Sequence, residues 1–325
     1  MPAPNRQIEK VTAAMFPEIY DRLLRAFSPH MRREVFKRAF VPRGWHDEDH
    51  FGYVLRVVGE PVGMLGALFS RRQIDGSEVR FCNLHNWYVQ PAHRASSLLL
   101  MRPILALQDC VITDLSASGE VVAISERLGF TKLDRTIRVL PPIPWRGRGV
   151  ELIDLAAEPH RAAKLLSPAD QIIFRDHQDI HCQHWVVRNE AELCYLVASK
   201  IPSRWLPHTM VHYLSNPRLF AQHHAFLRGQ LLRNGGGRYV AVNEPHLAQA
   251  SIPCSFRADS NQRLVRGNQI GGKLIEPAAI DSLYSELTLF KLPCYPRPPK
   301  FMRGVALQLW KWQQRWKTRP SASQS

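Results

Sequence analysis

No stretch of this 325-residue sequence reaches the roughly 20 uncharged apolar residues that a membrane-spanning helix needs. The best run, Leu98-Leu99-Leu100-Met101, stops at Arg102. The first residues, Met1-Pro2-Ala3-Pro4-Asn5-Arg6, lack the apolar core of a secretory signal, so a cytoplasmic location is expected. No Cys-x-x-Cys pair occurs. The six cysteines (Cys82, Cys110, Cys182, Cys194, Cys254 and Cys294) are scattered, which fits reduced thiols better than a disulfide framework or a zinc site. Acidic residues are scarce, 28 against 43 Lys and Arg, and the resulting charge of +15 favours anionic partners. Coenzyme A, nucleic acid and acidic membrane are all open on charge alone. No recognised nucleic-acid motif is present, so nucleic acid is not expected.

What is there is a globular composition, 45 % apolar, in a chain long enough for two ordinary domains. Met15, Ile19, Leu23 and Phe27 recur at helical spacing, and a second apolar–basic helix fits Met31 to Phe40. From Phe51 the period shortens to that of strands: a hairpin turning at Gly59-Glu60-Pro61, then a third strand from Val79 to Val89. Pro91 ends it, and the polar loop Ala92 to Ser96 leads into a helix carrying Leu98, Met101 and Leu105. A strand Val111 to Leu115, a helix Glu120 to Leu128 and a last strand Thr131 to Leu140 follow, with Gly129 placed for a left-handed cap.

That order, with Gln90-Pro91-Ala92-His93-Arg94-Ala95-Ser96-Ser97 and a helix closing on Leu128-Gly129-Phe130, resembles the GNAT superfamily of acyl-CoA N-acyltransferases over roughly residues 1–140. The resemblance implies a mixed α/β sheet whose two central parallel strands splay apart near Val89, with acyl-CoA or acetyl-CoA between them. It puts Val89, His93, Arg94, Ala95, Ser96, Ser97 and Ser118 around the cofactor. Ser97 and Leu99 stand where the family has small residues that let a pyrophosphate reach backbone amides at a helix N-terminus. Ser125 stands at the family's tyrosine acid.

The second half repeats the plan. Residues 182–198 form a hairpin pattern, and Pro217 and Arg228 match Pro91 and Arg102 at an offset of 126, with Tyr213 meeting Tyr88 if one residue is inserted. The expected layout is a GNAT-like domain over 1–150 on the acyl-CoA side, a divergent GNAT-like domain over 151–293, and a tail over 294–325. The second loop, Arg218 to Ala221, has no glycine to cradle a pyrophosphate.

Among groups that carry chemistry, His85 on the central strand is the first candidate base, with a pKa near neutrality. Ser125 is the candidate acid, and Cys82 reads as an inert thiol. The clusters His46 to His50 and Asp176 to His184 have metal-ligand residue types but not catalytic zinc spacing, and read as polar residues beside an acceptor cleft; no metal is expected. Gly267 to Leu274 superficially matches a phosphate loop but lacks its Ser/Thr, and reads as a strand-linking turn. From Lys291 to Ser325 there are eight basic residues and no acidic one, and Phe301, Val305, Leu309, Trp312 and Trp316 share a helical face. Peripheral contact with anionic membrane through 300–317 and packing on the chain itself are both readings of that stripe. The functional expectation is acyl transfer from acyl-CoA to an amine or hydroxyl of a small-molecule, sugar or cell-envelope acceptor. The alternative is a GNAT-derived binding or regulatory module without activity.

Overall fold

The computed structural model describes residues 5–144, 150–202, 207–270, 273–276, 279–280 and 282–293. The proposed membrane-binding tail falls outside the described residues. Among those described, no helix is long and apolar enough to cross a membrane.

Two mixed seven-stranded sheets form the framework. The first contains β1 (Arg6–Lys10), β2 (Gly52–Val57), β3 (Glu60–Ile74), β4 (Ser77–Val89), β5 (Cys110–Ala117) and β6 (Thr131–Lys132). The second contains β8 (Glu151–Asp154), β9 (Gln183–Arg188), β10 (Leu193–Ile201), β11 (His208–Leu214), β12 (Val240–Asn243) and β13 (Phe256–Asp259). Each sheet takes its seventh strand from the other half. β14 (Gln262–Arg266) lies between β5 and β6, and β7 (Thr136–Leu140) lies between β12 and β13, every pairing antiparallel. The single final strand expected over Thr131 to Leu140 is therefore two strands in different sheets. Leu133, Asp134 and Arg135 make the crossing.

The repeat is real in three dimensions. In both copies the fourth strand runs parallel to the fifth, and the strand order around the exchanged strand is the same. A bulge interrupts each fourth strand, at Asn86 in β4 and at His212 in β11. These two residues also differ by 126, so no insertion is needed and Trp87, not Tyr88, corresponds to Tyr213. Arg228 does not share the setting of Arg102. Its buried guanidinium donates to the carbonyls of Pro141, Pro253 and Cys254 at 3.0, 3.1 and 2.9 Å, pinning the chain where it leaves β7.

The faces of the two sheets are joined by one apolar cluster. It runs from Phe16, Leu23 and Phe36 of the N-terminal helices through Met64 and Leu68 to Tyr195 and Val197 of the second sheet. The C-terminal segment 282–290 is buried throughout and belongs to this cluster through Leu283, Tyr284, Leu289 and Phe290. It is wedged between the halves, and polar contacts tie it to both fourth strands. The Asn83 carboxamide on β4 accepts the Glu286 N–H at 3.0 Å, and His212 on β11 bonds the Ser282 hydroxyl at 3.0 Å.

Candidate active site

β4 and β5 are paired only from Arg80/Cys110 to Asn83/Thr113. They part at Leu84 and Asp114, earlier than the expected splay near Val89. At the last shared position the Asn83 side chain donates to Thr113 Oγ1 at 3.0 Å, which closes off the paired stretch. Beyond it lies a slot of about 400 Å³. Its walls are Leu84, His85, Asn86 and Trp87 on one side and Asp114, Ser116 and Ala117 on the other. Phe27 and Met31 border it from the N-terminal helices, and Glu286 and Phe290 from the wedged segment.

His85 enters this slot because Gly66 opposite it has no side chain. A Cβ on Gly66 would sit 2.2 Å from the imidazole. Phe290 packs against the ring edge-on, at 5.4 Å between centroids. Neither ring nitrogen has a hydrogen-bond partner. Burial, with a smaller contribution from His46, holds the pKa at about 3 instead of the near-neutral value expected from the sequence. His85 is thus a neutral imidazole with one donor and one acceptor nitrogen to offer.

Two carboxyls face each other across the same space. Asp114 touches the slot while the surrounding protein excludes bulk water, and this burial raises its pKa to about 7. The Ser116 N–H, donating at 3.2 Å, works weakly in the opposite sense. Glu286 is fully buried; no hydrogen bond of good geometry reaches its carboxyl oxygens, and the nearby Ser116 and Asn83 side chains favour its charged form only weakly. Burial first, then repulsion from Asp114, pushes its pKa up to about 8. The Asn86 amide nitrogen is a third buried group without a partner here. Buried polar groups are nearly always paired in folded proteins, so this concentration makes the slot the candidate ligand site.

Sequence reasoning placed His85 here and passed over Asp114, Asn86 and Glu286. Asp114 did give a signal, an acidic residue inside an otherwise apolar strand. Glu286 gave none, since more than 170 positions separate it from Asp114. Ser125 is buried in the helix Gly119–Arg127 and is not among the slot residues, whereas Ser118, which caps that helix at Val121 N–H (3.4 Å), is.

The stretch expected to cradle a pyrophosphate has another form. Pro91–Leu100 is a ten-residue 3₁₀ helix in which His93 N–H already bonds Gln90 C=O at 2.9 Å. The i→i+3 pattern engages the amides that a pyrophosphate would need. Leu99 is half-buried and packs against the core of the first sheet. Arg94 and Ala95 are exposed, His93 and Ser97 half-exposed, Ser96 and Val89 buried. Of the two polar clusters, the first ties a loop to the sheet. Glu48, Asp49 and His50 converge, with Glu48 paired to Arg80 and Asp49 to Lys10 at 3.4 Å. The second grips the wedged segment, where the Tyr284 hydroxyl donates to Asp176 at 3.0 Å and His177 bonds Leu283 C=O at 3.0 Å.

No family model and no curated protein matches the sequence. Solved structures do match the fold. A conserved protein of unknown function from Enterococcus faecalis V583, described as a probable N-acyltransferase, superposes with a TM-score of 0.54 at 11 % identity, covering 85 % of this chain and 74 % of that one. A GCN5-related N-acetyltransferase from Anabaena variabilis gives 0.52 at 11 % identity over 81 % and 72 %. One from Kribbella flavida gives 0.50 at 15 % over 81 % and 71 %.

Proposed function

We propose, for a chain whose fold is that of the GNAT superfamily, that the slot between β4 and β5 transfers an acyl group from a pantetheine thioester such as acyl-CoA or acetyl-CoA to the amine of a small-molecule acceptor. The observation that carries this reading is the gathering of His85, Asn86 and Glu286, whose inward polar atoms lack well-formed hydrogen bonds, beside the half-buried Asp114 where the strands part. A carboxyl with its pKa near 7 is matched to deprotonating an ammonium at neutral pH, and a buried acid pair attracts a cation in preference to a neutral hydroxyl. The bound thioester supplies the activated acyl carbon.

Asp114, ionised above about pH 7, takes the proton that the ammonium brings in. The freed amine nitrogen then bonds to the acyl carbon as the carbon–sulfur bond breaks; the departing sulfur takes the proton that Asp114 holds, the new amide nitrogen gives its surplus proton to the Asp114 carboxylate so regenerated, and that proton leaves to solvent. Glu286 holds the second proton of the pair to about pH 8, so Asp114 and Glu286 do not both carry charge. His85, neutral throughout, donates its N–H to the acyl oxygen, a role a pKa of about 3 permits and a base role does not. Arg94 and His93 reach the donor's phosphates with side chains, since the amides of Pro91–Leu100 are engaged.

A second reading, binding without turnover, is favoured by that closed 3₁₀ helix and by serine at position 125. Thiol release from acetyl-CoA and longer acyl-CoAs, measured over a panel of primary amines and hydroxyl acceptors, separates the two. The enzymatic reading expects release with at least one amine and a loss of about 100-fold or more in Asp114→Asn. Donor binding in calorimetry without release supports the binding module, and absence of both sinks either.

A further inference from the structure

The surface around the slot between β4 and β5 is strongly basic. Phe27, Ser28 and Met31 line one side of the slot, and Trp87, on the other, leads within four residues into Pro91–Leu100. These two elements meet beside the slot. The rings of Phe27 and Tyr88 pack at 5.8 Å between centroids, and the Gln90 carboxamide donates to Arg22 C=O at 3.5 Å. Residues 22–38 hold six Lys and Arg against one Glu, and residues 90–105 hold two Arg and no acid. Arg22 is paired with Glu60 at 3.3 Å, and Arg38 donates to Leu289 C=O at 3.0 Å. Arg25, Arg32 and Arg94 are different. They are exposed and, among the described residues, have no hydrogen-bond or ion-pair partner. Surface arginines elsewhere are held by carboxylates, Arg71 by Asp47 and Glu78 at 2.6 and 2.7 Å and Arg188 by Glu151 at 2.7 Å.

The same two elements also carry large apolar side chains at the surface, Phe27 at 40 % and Leu98 at 49 % exposure. A nucleotide does not account for this combination. A pyrophosphate is held by backbone amides at a helix start, and here the 3₁₀ bonds engage them while Pro91 has none to give. Free guanidiniums on two elements, with apolar side chains among them, complement the face of an acidic protein. A thioester delivered on a protein needs a thin arm to reach the acid pair inside. Phosphopantetheine is such an arm. It fills the slot as the pantetheine of coenzyme A does, and it brings one phosphodiester, which the Arg94 guanidinium can meet with paired N–H donors.

We propose that the acyl donor is a carrier protein: an acidic protein that bears the acyl group as a thioester on a phosphopantetheine arm. It docks on Arg25, Phe27, Arg32 and Leu98 and passes its arm into the slot beside Arg94. The inference rests on the acyl-transfer reading and names the donor for it. The chemistry is unchanged. The amine nitrogen bonds to the acyl carbon, the carbon–sulfur bond breaks, and the sulfur takes the proton from Asp114 and leaves as a thiol on the carrier. Because arm and carrier are one molecule, binding of either raises the effective concentration of the other.

Calorimetric titration of the full chain at low salt tests it, with four probes: a bacterial acyl carrier protein loaded with acetyl-phosphopantetheine, the same carrier without its arm, acetyl-CoA and acetyl-pantetheine. The expected result is that the loaded carrier binds about tenfold or more tightly than acetyl-CoA and than the armless carrier. Arg25→Glu/Arg32→Glu should weaken the loaded carrier about tenfold, leave acetyl-pantetheine within about twofold and leave the melting temperature unchanged. If acetyl-pantetheine binds and the loaded carrier binds no more tightly, the carrier is overturned and the acyl-transfer reading stands. If neither acetyl-pantetheine nor acetyl-CoA binds, that reading falls and takes the carrier with it. Equal binding of the loaded and armless carriers overturns insertion of the arm. Sedimentation with anionic vesicles that the double variant abolishes, without carrier binding, makes the surface a membrane contact and overturns the proposal.

Discussion

At the scale of single residues, the protein sets its carboxyls and histidines against each other. Asp114 and Glu286 have folded pKa values near 7 and 8, above the unfolded carboxylate range of roughly 4. They hold protons more tightly when folded, so the stability they contribute is complete below about pH 4 and is lost as pH rises through 7 and 8. The double variant Asp114→Asn/Glu286→Gln should therefore gain steadily on the parent between pH 5 and pH 8 in urea unfolding and no further above that. In the enzymatic reading, kcat/KM should climb through the same interval, and the Asp114→Asn profile should be flat. Arg228→Leu makes a different point. It removes the buried guanidinium that bridges the carbonyls of Pro141, Pro253 and Cys254 and should cost about 1–3 kcal/mol in thermal or urea unfolding.

At the scale of elements, the proposed acyl transfer turns on how the 3₁₀ helix Pro91–Leu100 would hold a donor. With its amides engaged internally, the adenosine diphosphate part of coenzyme A loses most of its usual grip. Acyl-pantetheine and acyl-CoA should bind within about tenfold of each other, a difference of about 1.4 kcal/mol. Arg94→Glu should weaken acyl-CoA by about 2 kcal/mol and leave acyl-pantetheine unchanged, as direct titration would show. Much at this scale was legible in the sequence. The β2–β3 and β9–β10 hairpins, the proline that ends each fourth strand and the cap at Gly129, with φ +85°, all follow from local pattern. The 3₁₀ form was not legible, because Ala92 to Leu100 has the composition of an ordinary helix start. Nor was the slot's acid pair, since the wedge that carries Glu286 reaches Asn83 through one long-range hydrogen bond that no spacing reports.

At the scale of the whole molecule, burial lowers the pKa values of His46, His50, His85, His184, His212 and His224. These groups favour the folded state above the unfolded histidine value of about 6.5, and that stability is lost as pH falls toward their folded values. His85, His184 and His212, with folded values of about 3 to 4, together give a slope of about 4 kcal/mol per pH unit. Stability should peak near neutrality and fall steeply below pH 6, which a pH series of melting curves would show. The strand exchange makes a second prediction. Residues 1–144 hold β7 but not β14, so expressed alone they should stay insoluble or lack a cooperative transition, and co-expression with 150–325 should restore a folded pair. A stable, cooperatively melting 1–144 monomer would show that the exchanged strands can fold back on their own sheets.

The exchange also has a timetable. During synthesis the first sheet has β5 and β6 in place once residue 132 emerges, yet the strand that must lie between them ends at residue 266. At ribosomal rates those intervening residues take roughly ten seconds, during which two strand edges stand open in a nascent chain. A protein built this way completes its first half last, and its yield in a cell is governed as much by what shields those edges as by the stability of the finished fold.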